Sequence, residues 1–162
     1  MAVKGEIKFK DAEGNDLAGP RPNGSCTILE FSQSVRLPVT EGTGQVTGSR
    51  IYDPFMVLKE IDKLTPFMFQ YCSEGKVLKS VEVSLYEIAE ATGKETVYFK
   101  YTLTNARVVA VEDMMPSTVE SSKQTIAHLE RISMVAESVE WEHVKASTMF
   151  QDQGFFSFQM PA

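Results

Sequence analysis

The sequence predicts a mainly β fold, either a closed or nearly closed barrel or a sandwich, with a single short helix at its side. Three observations indicate this fold. Segments in which apolar and polar residues alternate recur along the chain and are rich in β-branched and aromatic residues. Turn-forming residues separate these segments, and only one segment carries the boundary signals of a helix. The 162 residues suffice for one domain with a substantial core, so we expect residues 1–162 to form a single domain.

The first half of the chain is predicted to contain three extended segments separated by two loops. Residues 6–10 (EIKFK) alternate, and residues 11–25 are rich in turn formers. Residues 26–37 (CTILEFSQSVRL) are predicted to form one continuous half-buried strand. The polar residues 38–50 (PVTEGTGQVTGSR) include three glycines and no core residues, which indicates a long extended loop. Residues 51–61 then return to an extended pattern.

The segment 63–76 (KLTPFMFQYCSEGK) carries signals for both ends of a short helix. Thr65 is predicted to cap the N-terminus, and Pro66 suits the first turn. Gly75 is predicted to take the left-handed conformation that ends a helix, and Lys76 suits the carbonyl end. The apolar residues between these signals cover about 200° of the helix, roughly twice the width that docking on one surface needs. A second surface must therefore cover part of this apolar arc, which consists of Phe67, Met68, Phe69, Tyr71 and Cys72.

Alternating segments dominate the second half of the chain as well. Residues 77–90 and 95–112 flank the sequence ATGK, which predicts a strand, a turn and a second strand. Residues 120–124 (ESSKQ) interrupt the pattern, and residues 125–144 alternate again over a long stretch. The segment GFFSFQM (154–160) predicts a last strand that places Phe156, Phe158 and Met160 on one face.

Composition and charge exclude several classes of partner. The formal net charge of −6 and a pI near 5.0 disfavour binding to nucleic acid or to anionic lipid. The uninterrupted apolar runs are about four residues long, far below a membrane span. The N-terminal residues are charged and lack an apolar core, so we expect no signal peptide. Cys26 and Cys72 lack the spacing of a metal site, and we expect buried or half-buried thiols in a reducing cytoplasm.

Candidate catalytic and metal-binding motifs are weak. The glycine spacing of the segment GTGQVTGS fits neither a dinucleotide-binding loop nor a phosphate-binding P-loop. His128, Glu130 and His143 lie on alternating segments where a zinc site is conceivable, but such pairs arise readily by chance and fit hydrogen bonding or an interface as well. Serine and aspartate residues form no recognisable nucleophile motif. We therefore expect no catalytic residue, no cofactor and no metal.

Motifs in the order in which they occur along residues 25–145 resemble the haemolysin-coregulated protein (Hcp) family, the tube proteins of bacterial type VI secretion. They begin with TGQVTGSR (43–50), KEID (59–62) and the Thr-Pro helix that Gly75 closes. The segments GKETVYFKYTLTNARVV, HLERIS and VEWEH follow. One departure is that many relatives carry R-x-H at the loop exit, whereas this chain has Arg50, Ile51 and Tyr52.

The resemblance implies a one-domain antiparallel β-barrel with a flanking helix, which assembles as a homohexameric ring. Rings of this family stack into a hollow tube that works with sheath and spike proteins and carries effector proteins in its lumen. The resemblance also implies cytoplasmic synthesis followed by secretion, without nucleic acid or membrane insertion. A small-molecule carrier barrel is the alternative, and it would require an apolar cavity and a monomer. An enzyme would require a polar site that these residues do not assemble.

The resemblance also predicts two assembly surfaces. In a closed ring each subunit presents two different edges to its neighbours, so the neighbouring subunit is expected to cover one edge of the helix. The alternative is that residues 11–25 of the same chain cover it. The helix surface comprises Phe67, Met68, Phe69 and Tyr71, and we expect one of Phe67 and Phe69 to face the core. The ring-stacking surface is expected in the glycine-rich loop and comprises Thr43, Gly44, Thr47, Gly48 and Arg50.

Overall fold

The computed structural model describes residues 4–123 and 126–153, and within these ranges the regular structure consists mainly of β-strands. The predicted alternation is realised as antiparallel pairing throughout the main sheet. A short 3-10 turn, Ser121–Lys123, interrupts the strands where the sequence loses its alternation. The elements are β1 (Gly5–Lys10), β2 (Asp16–Leu17), β3 (Cys26–Ser32), β4 (Val35–Arg36), β5 (Ile51–Tyr52), β6 (Phe55–Glu60), α1 (Thr65–Glu74), β7 (Val77–Ile88), β8 (Glu95–Met114), β9 (Leu129–His143) and β10 (Thr148–Gln153).

Six of the strands close into a barrel, which confirms the barrel over the sandwich. The strands follow the order β9-β6-β3-β1-β7-β8, and β8 pairs back to β9 to complete the circle. The closing ladder is long, running from the Phe99–His143 pair to the Met114–Leu129 pair. Closure removes the free edges that an open sheet of this length would expose.

Side chains fill the inside of the barrel. The inward positions of all six strands carry mainly apolar residues, as the period of two along each strand requires, and the charged pair Lys59 and Glu130 is buried among them. Met68 and Tyr71 of α1 join the same cluster, so the helix shares the core of the barrel. Residues of this core that are at most 1% exposed include Ile7, Phe9, Val57, Val81, Val83, Leu103, Ile132 and Met134.

The strands β8 and β9 are longer than the barrel requires, and an extra strand lies against their extension. Strand β10 pairs with β9 from Thr148–His143 to Gln153–Ser138 and lies outside the closed circle. Strand β10 was not among the strands expected from the sequence. The strand that it predicted over residues 154–160 lies outside the described residues.

The predicted continuous strand over residues 26–37 is wrong. Strand β3 ends at Ser32, and the chain leaves the barrel before β4 begins at Val35. Strand β4 pairs with β5 in a separate two-stranded sheet, and Val39 and Val46 form one further bridge. The loop predicted over residues 38–50 is therefore the end of a projecting hairpin, which we call the arm (residues 33–53).

The helix ends as predicted but begins differently. Gly75 adopts φ 65° and donates its backbone N–H to the carbonyl of Tyr71. The prediction that Thr65 caps the N-terminus is wrong, because Leu64 holds that position and Thr65 is the first helical residue. The Thr65 hydroxyl is engaged elsewhere: it accepts a hydrogen bond from the Asp62 backbone N–H at 3.1 Å and donates one to Glu130 at 2.7 Å.

Candidate assembly surfaces

The arm is a hydrogen-bonded hairpin and is exposed along most of its length. Backbone N–H groups of Asp53, Thr47 and Thr40 donate across it to the carbonyls of Ser34, Pro38 and Gln45 at 2.7–3.2 Å. At the tip, Gly42 and Gly44 adopt φ values of 89° and 69°, which side chains of L-residues rarely tolerate. The glycines seen in the sequence therefore shape a tight tip and not an irregular loop.

Apolar side chains lie along this arm and do not join the core of the barrel. They remain 40–54% exposed, although branched aliphatic residues are usually buried. Exposed apolar side chains gathered on both faces of one projecting element are typical of a protein contact. The residues are Val35, Leu37, Val39, Val46 and Ile51. The predicted stacking residues Thr43, Gly44, Thr47 and Gly48 lie at the tip or beside it, and all four are exposed.

The fifth predicted stacking residue, Arg50, lies at the base of the arm and binds within its own chain. Its Nε lies 2.5 Å from Oδ2 of Asp152, and a second guanidinium nitrogen donates to Oδ1 at 2.8 Å. The same nitrogen donates to the backbone carbonyl of Gln153 at 2.6 Å. This bidentate geometry is the strong form of an arginine–carboxylate pair. Arg50 therefore lies apart from the other four residues, and its role in ring stacking stays a prediction.

Tyr52, which stands where many relatives carry histidine, joins the same contact. Its hydroxyl donates to Oδ2 of Asp152 at 2.6 Å. Burial and the Asp152 carboxylate raise the pKa of Tyr52 to about 12, so the hydroxyl keeps its proton at neutral pH. Burial alone would raise the pKa of Asp152, but hydrogen bonds from Tyr52 and Arg50 outweigh burial and lower it. At neutral pH the Asp152 carboxylate is therefore ionised, and the Tyr52 hydroxyl keeps its proton and donates the hydrogen bond.

An aromatic stack extends this contact across the β9–β10 hairpin. The ring of Trp141 lies between those of Tyr52 and Phe150, with centroid distances of 6.4 and 5.6 Å and interplanar angles of 22° and 12°. The indole N–H of Trp141 donates to the side-chain oxygen of Gln33 at 2.8 Å. Both strands of the arm are therefore attached to this hairpin at their bases. Sequence reasoning missed this site, because its members are about 100 positions apart.

The apolar arc of α1 divides between the core and the surface. Met68 is 0% exposed and Tyr71 is 8% exposed, so the prediction that these two residues form a subunit interface is wrong. Phe67 and Phe69 flank them and are 43% and 41% exposed. The expectation that one of these phenylalanines faces the core is also wrong, since the core occupies the middle of the arc. Two large apolar side chains on opposite edges of one short helix remain available for contact.

Residues 11–25 leave both phenylalanines exposed. This loop is held instead beside β1 and β7 by Glu6, which is 4% exposed. Arg21 and Asn23 approach the Glu6 carboxylate at 2.9 and 3.1 Å, and the Tyr86 hydroxyl donates to it at 2.8 Å. Burial opposes ionisation of Glu6, but these hydrogen bonds and charges outweigh burial and lower its pKa.

A buried ionic network fixes the N-terminal end of α1 to the barrel. The Lys59 ammonium lies 2.7 Å from Oε2 of Glu130 and 3.0 Å from Oδ2 of Asp62, and both Lys59 and Glu130 are 0% exposed. Burial alone would lower the pKa of Lys59, but its hydrogen bonds and attraction to these carboxylates raise it. Glu130 also accepts the hydrogen bond from Thr65. The network therefore joins β6, β9 and the first residue of α1.

The zinc site considered in the sequence required the Glu130 carboxylate, which is engaged in this network. Glu130 is paired with Lys59, and Nδ1 of His143 accepts a hydrogen bond from the Ala146 backbone N–H at 3.1 Å. Within residues 4–123 and 126–153, no group of three or more histidine, cysteine, aspartate or glutamate side chains is arranged to hold a metal ion. Over the same ranges, α-helical structure never reaches the length and apolarity needed to cross a bilayer.

One cleft of the described region lies on the outer face of the barrel. This cleft of about 380 Å³ is lined by outward-facing residues of β3 and by the segments beside it. Thr27 and Leu29 point into this cleft, whereas their neighbours Cys26 and Ile28 point into the core.

Both cysteines are free thiols, Cys26 buried and Cys72 half-buried, as predicted. Burial, reinforced by Asp62, raises the pKa of Cys26 to about 12, so this thiol stays protonated.

Comparison with known proteins extends these observations. Residues 7–143 match the protein family described as type VI secretion system effector, Hcp. The chain is 27% identical over 125 residues to the major exported protein of Pseudomonas aeruginosa, covering 77% of this chain and 72% of that protein.

Solved structures show the same likeness over nearly the whole chain. A double variant of Hcp1 from E. coli EAEC 042 superposes with a TM-score of 0.83 at 28% identity, covering 96% of this chain and 100% of that one. The crystal structure of another Hcp protein gives a TM-score of 0.86 at 25% identity, covering 94% and 98%. Six-stranded closure, the single helix and these matches together identify the chain as a member of the Hcp family, the structural tube proteins of the bacterial type VI secretion system.

Proposed function

We propose that six copies of this chain form a closed ring and that these rings stack into a hollow tube. The whole chain, residues 1–162, acts in this proposal as one domain. The observation that carries the proposal is the pair of apolar surfaces that the barrel leaves uncovered, on the arm and on α1. A closed ring needs two different contact surfaces on each subunit, and stacking needs a further one.

The contact within the ring uses the outer edges of α1. Phe67 and Phe69 point away from the core on opposite sides of Met68. Aromatic residues are enriched at the buried centres of protein interfaces, where each contributes a large apolar area. A neighbouring subunit that covers one of these edges removes that area from water.

The contact between rings uses the tip of the arm. Thr43, Gly44, Thr47 and Gly48 are exposed there, and glycines permit close approach of another backbone. The valines and the leucine along the arm supply apolar area that the parent barrel does not bury.

The proposed partners beyond the tube are the sheath that surrounds it, the spike at its end and effector proteins in the lumen. We further infer that the chain is made in the cytoplasm and exported with the tube, and that its role is structural and not enzymatic. The exported P. aeruginosa relative supports secretion. The carrier alternative is not favoured, because side chains fill the inside of the barrel.

Mass spectrometry under native conditions, combined with negative-stain microscopy, tests this function. We expect a species of about six times 18.1 kDa that persists with reductant, and rings with an open centre. Deletion of Thr43–Thr47 should leave the number of subunits in the ring unchanged and abolish tubes and secretion. A monomer under all conditions would exclude the tube function, whereas loss of the ring in the deletion variant would assign the arm to contacts within one ring.

A further inference from the structure

The arm lacks enough structure of its own to hold a fixed direction. Its two-stranded sheet consists of the pairs Val35–Tyr52 and Arg36–Ile51, followed by the single Val39–Val46 bridge. Isolated two-stranded hairpins are marginally stable in water, and this one packs little of its apolar surface against the barrel. Contacts at its base must therefore fix where it points.

The β9–β10 hairpin supplies such contacts to both strands of the arm. Arg50 and Tyr52 are two residues apart, so their side chains leave the same face of the arm, and both bind the Asp152 carboxylate. The other strand of the arm is held by the hydrogen bond from Trp141 to Gln33. Charged and neutral hydrogen bonds to both strands restrain rotation and tilt more than a single contact would.

We propose that the β9–β10 hairpin holds the base of the arm in one orientation, with Asp152 as the positioning residue. We call this contact the latch, and it consists of Gln33, Arg50, Tyr52, Trp141 and Asp152. The latch directs the tip of the arm toward the adjacent ring. This last step rests on the proposed stacking function. Tyr52 supplies both a hydroxyl donor to Asp152 and a ring that stacks on Trp141.

The chain carries its own reporter for this latch. It contains one tryptophan, Trp141, and that residue is stacked between Tyr52 and Phe150 at the latch. Opening the latch exposes the indole to water, which shifts its emission to longer wavelength and increases quenching by acrylamide. Strand β10 lies outside the closed barrel, so changes at Asp152 leave the core residues in place.

The test compares Asp152→Asn and Tyr52→Phe with the control Glu142→Gln. Asp152→Asn keeps the size of the side chain and removes its charge, whereas Tyr52→Phe removes only the hydroxyl. Glu142→Gln removes one carboxylate from the same hairpin, on the strand face opposite to Trp141. Tryptophan emission and hydrogen exchange of residues 35–52 are measured on assembled rings, and tubes are counted by microscopy.

In Asp152→Asn rings we expect a red-shifted emission and roughly tenfold faster exchange of arm amides, as loss of a charged hydrogen-bonding partner implies. Tyr52→Phe should give a smaller change of the same kind, and Glu142→Gln should match the unmodified protein. Ring mass should be unchanged in all three, and tubes should be lost in Asp152→Asn. The double variant Arg50→Met/Asp152→Asn should be no worse than Asp152→Asn alone, since the two residues act as one unit.

Unchanged emission and exchange in both Asp152→Asn and Tyr52→Phe would overturn the latch. Altered exchange with normal tubes would overturn its positioning role. The Thr43–Thr47 deletion separates this failure from failure of the stacking function: if the deletion abolishes tubes while Asp152→Asn does not, the tip stacks the rings without help from the latch.

Discussion

Lys59 and Glu130 form an ion pair from which water is excluded, and they determine how α1 joins the barrel. Both side chains are 0% exposed, and Oε1 of Glu130 is buried without a hydrogen-bond partner among the described residues. Buried pairs of this kind add little stability beyond what apolar residues would give, but removing one partner leaves a buried charge uncompensated. The pair therefore contributes chiefly by specifying the position of the helix.

We expect Lys59→Met to lower the free energy of unfolding by about 3–5 kcal/mol, because Glu130 then lies unpaired in the core. The double variant Lys59→Met/Glu130→Leu should recover part of this loss, since neither charge remains to be buried. Urea unfolding followed by circular dichroism measures the free energy of unfolding of both variants. As a control, Lys123→Met removes an exposed pair with Glu120 and should cost about 1 kcal/mol or less. Equal costs for Lys59→Met and the control would contradict this role.

At the scale of the element, α1 presents two kinds of apolar residue that the sequence pattern alone does not separate. Thr65, Met68 and Tyr71 contact the barrel, and Phe67 and Phe69 remain on the surface. The helical period correctly indicated that one docking surface was too narrow for the whole arc. It did not fix the angle at which the helix docks, because Lys59, Asp62 and Glu130 set that angle from other elements.

We expect Met68→Glu to unfold the protein, because it places an unpaired carboxylate in the core. Phe67→Glu and Phe69→Glu should remain folded, with unfolding free energies within about 0.5 kcal/mol of the unmodified chain, because both sites are accessible to water. At least one of the two should yield soluble monomers in place of rings. Thermal melts and native mass spectrometry distinguish these outcomes.

Gln70→Glu is the matched control for these helix variants, since Gln70 is exposed on the outer side of α1. It introduces the same charge and should leave rings intact. If Phe67→Glu and Phe69→Glu both assemble as well as this control, subunits do not share α1 and its exposed aromatic residues have another role.

At the scale of the whole molecule, charge opposes assembly. Each chain carries a formal net charge of −6, so stacked rings repel one another at low ionic strength. Raising the salt concentration from 0.01 M to 0.15 M shortens the Debye length from about 30 Å to about 8 Å. We therefore expect more and longer tubes at the higher salt concentration, as counted by microscopy, with no change in ring mass. Fewer tubes at 0.15 M salt would indicate that attraction between opposite charges, and not apolar contact, joins the rings.

The architecture was largely predictable from the sequence, whereas the contacts that orient its parts were not. Alternation located β1, β6, β7, β8 and β9, because a strand with one buried face must repeat every two residues. Arg50–Asp152 and Lys59–Glu130 join positions 102 and 71 residues apart. Such pairs produce no periodic pattern in the sequence, since their spacing along the chain depends on the path of the whole barrel. Strand β10 was missed, and β4 was predicted as part of the same strand as β3, because the residues of β4 and β10 are exposed and have no buried face to repeat.

Barrel closure also determines when the chain can fold. Strand β6 pairs with β9, joining Phe55 to Met134, so the circle cannot close until residues near the end of the chain have been synthesised. At about 5–20 residues per second, the ribosome takes several seconds to cover that distance. Folds dominated by such distant pairings also form slowly, in milliseconds to seconds. During this interval the edge of β6 that pairs with β9 has no strand partner and is open to aggregation or to chaperones. Subunits can therefore join one another only after translation is nearly complete.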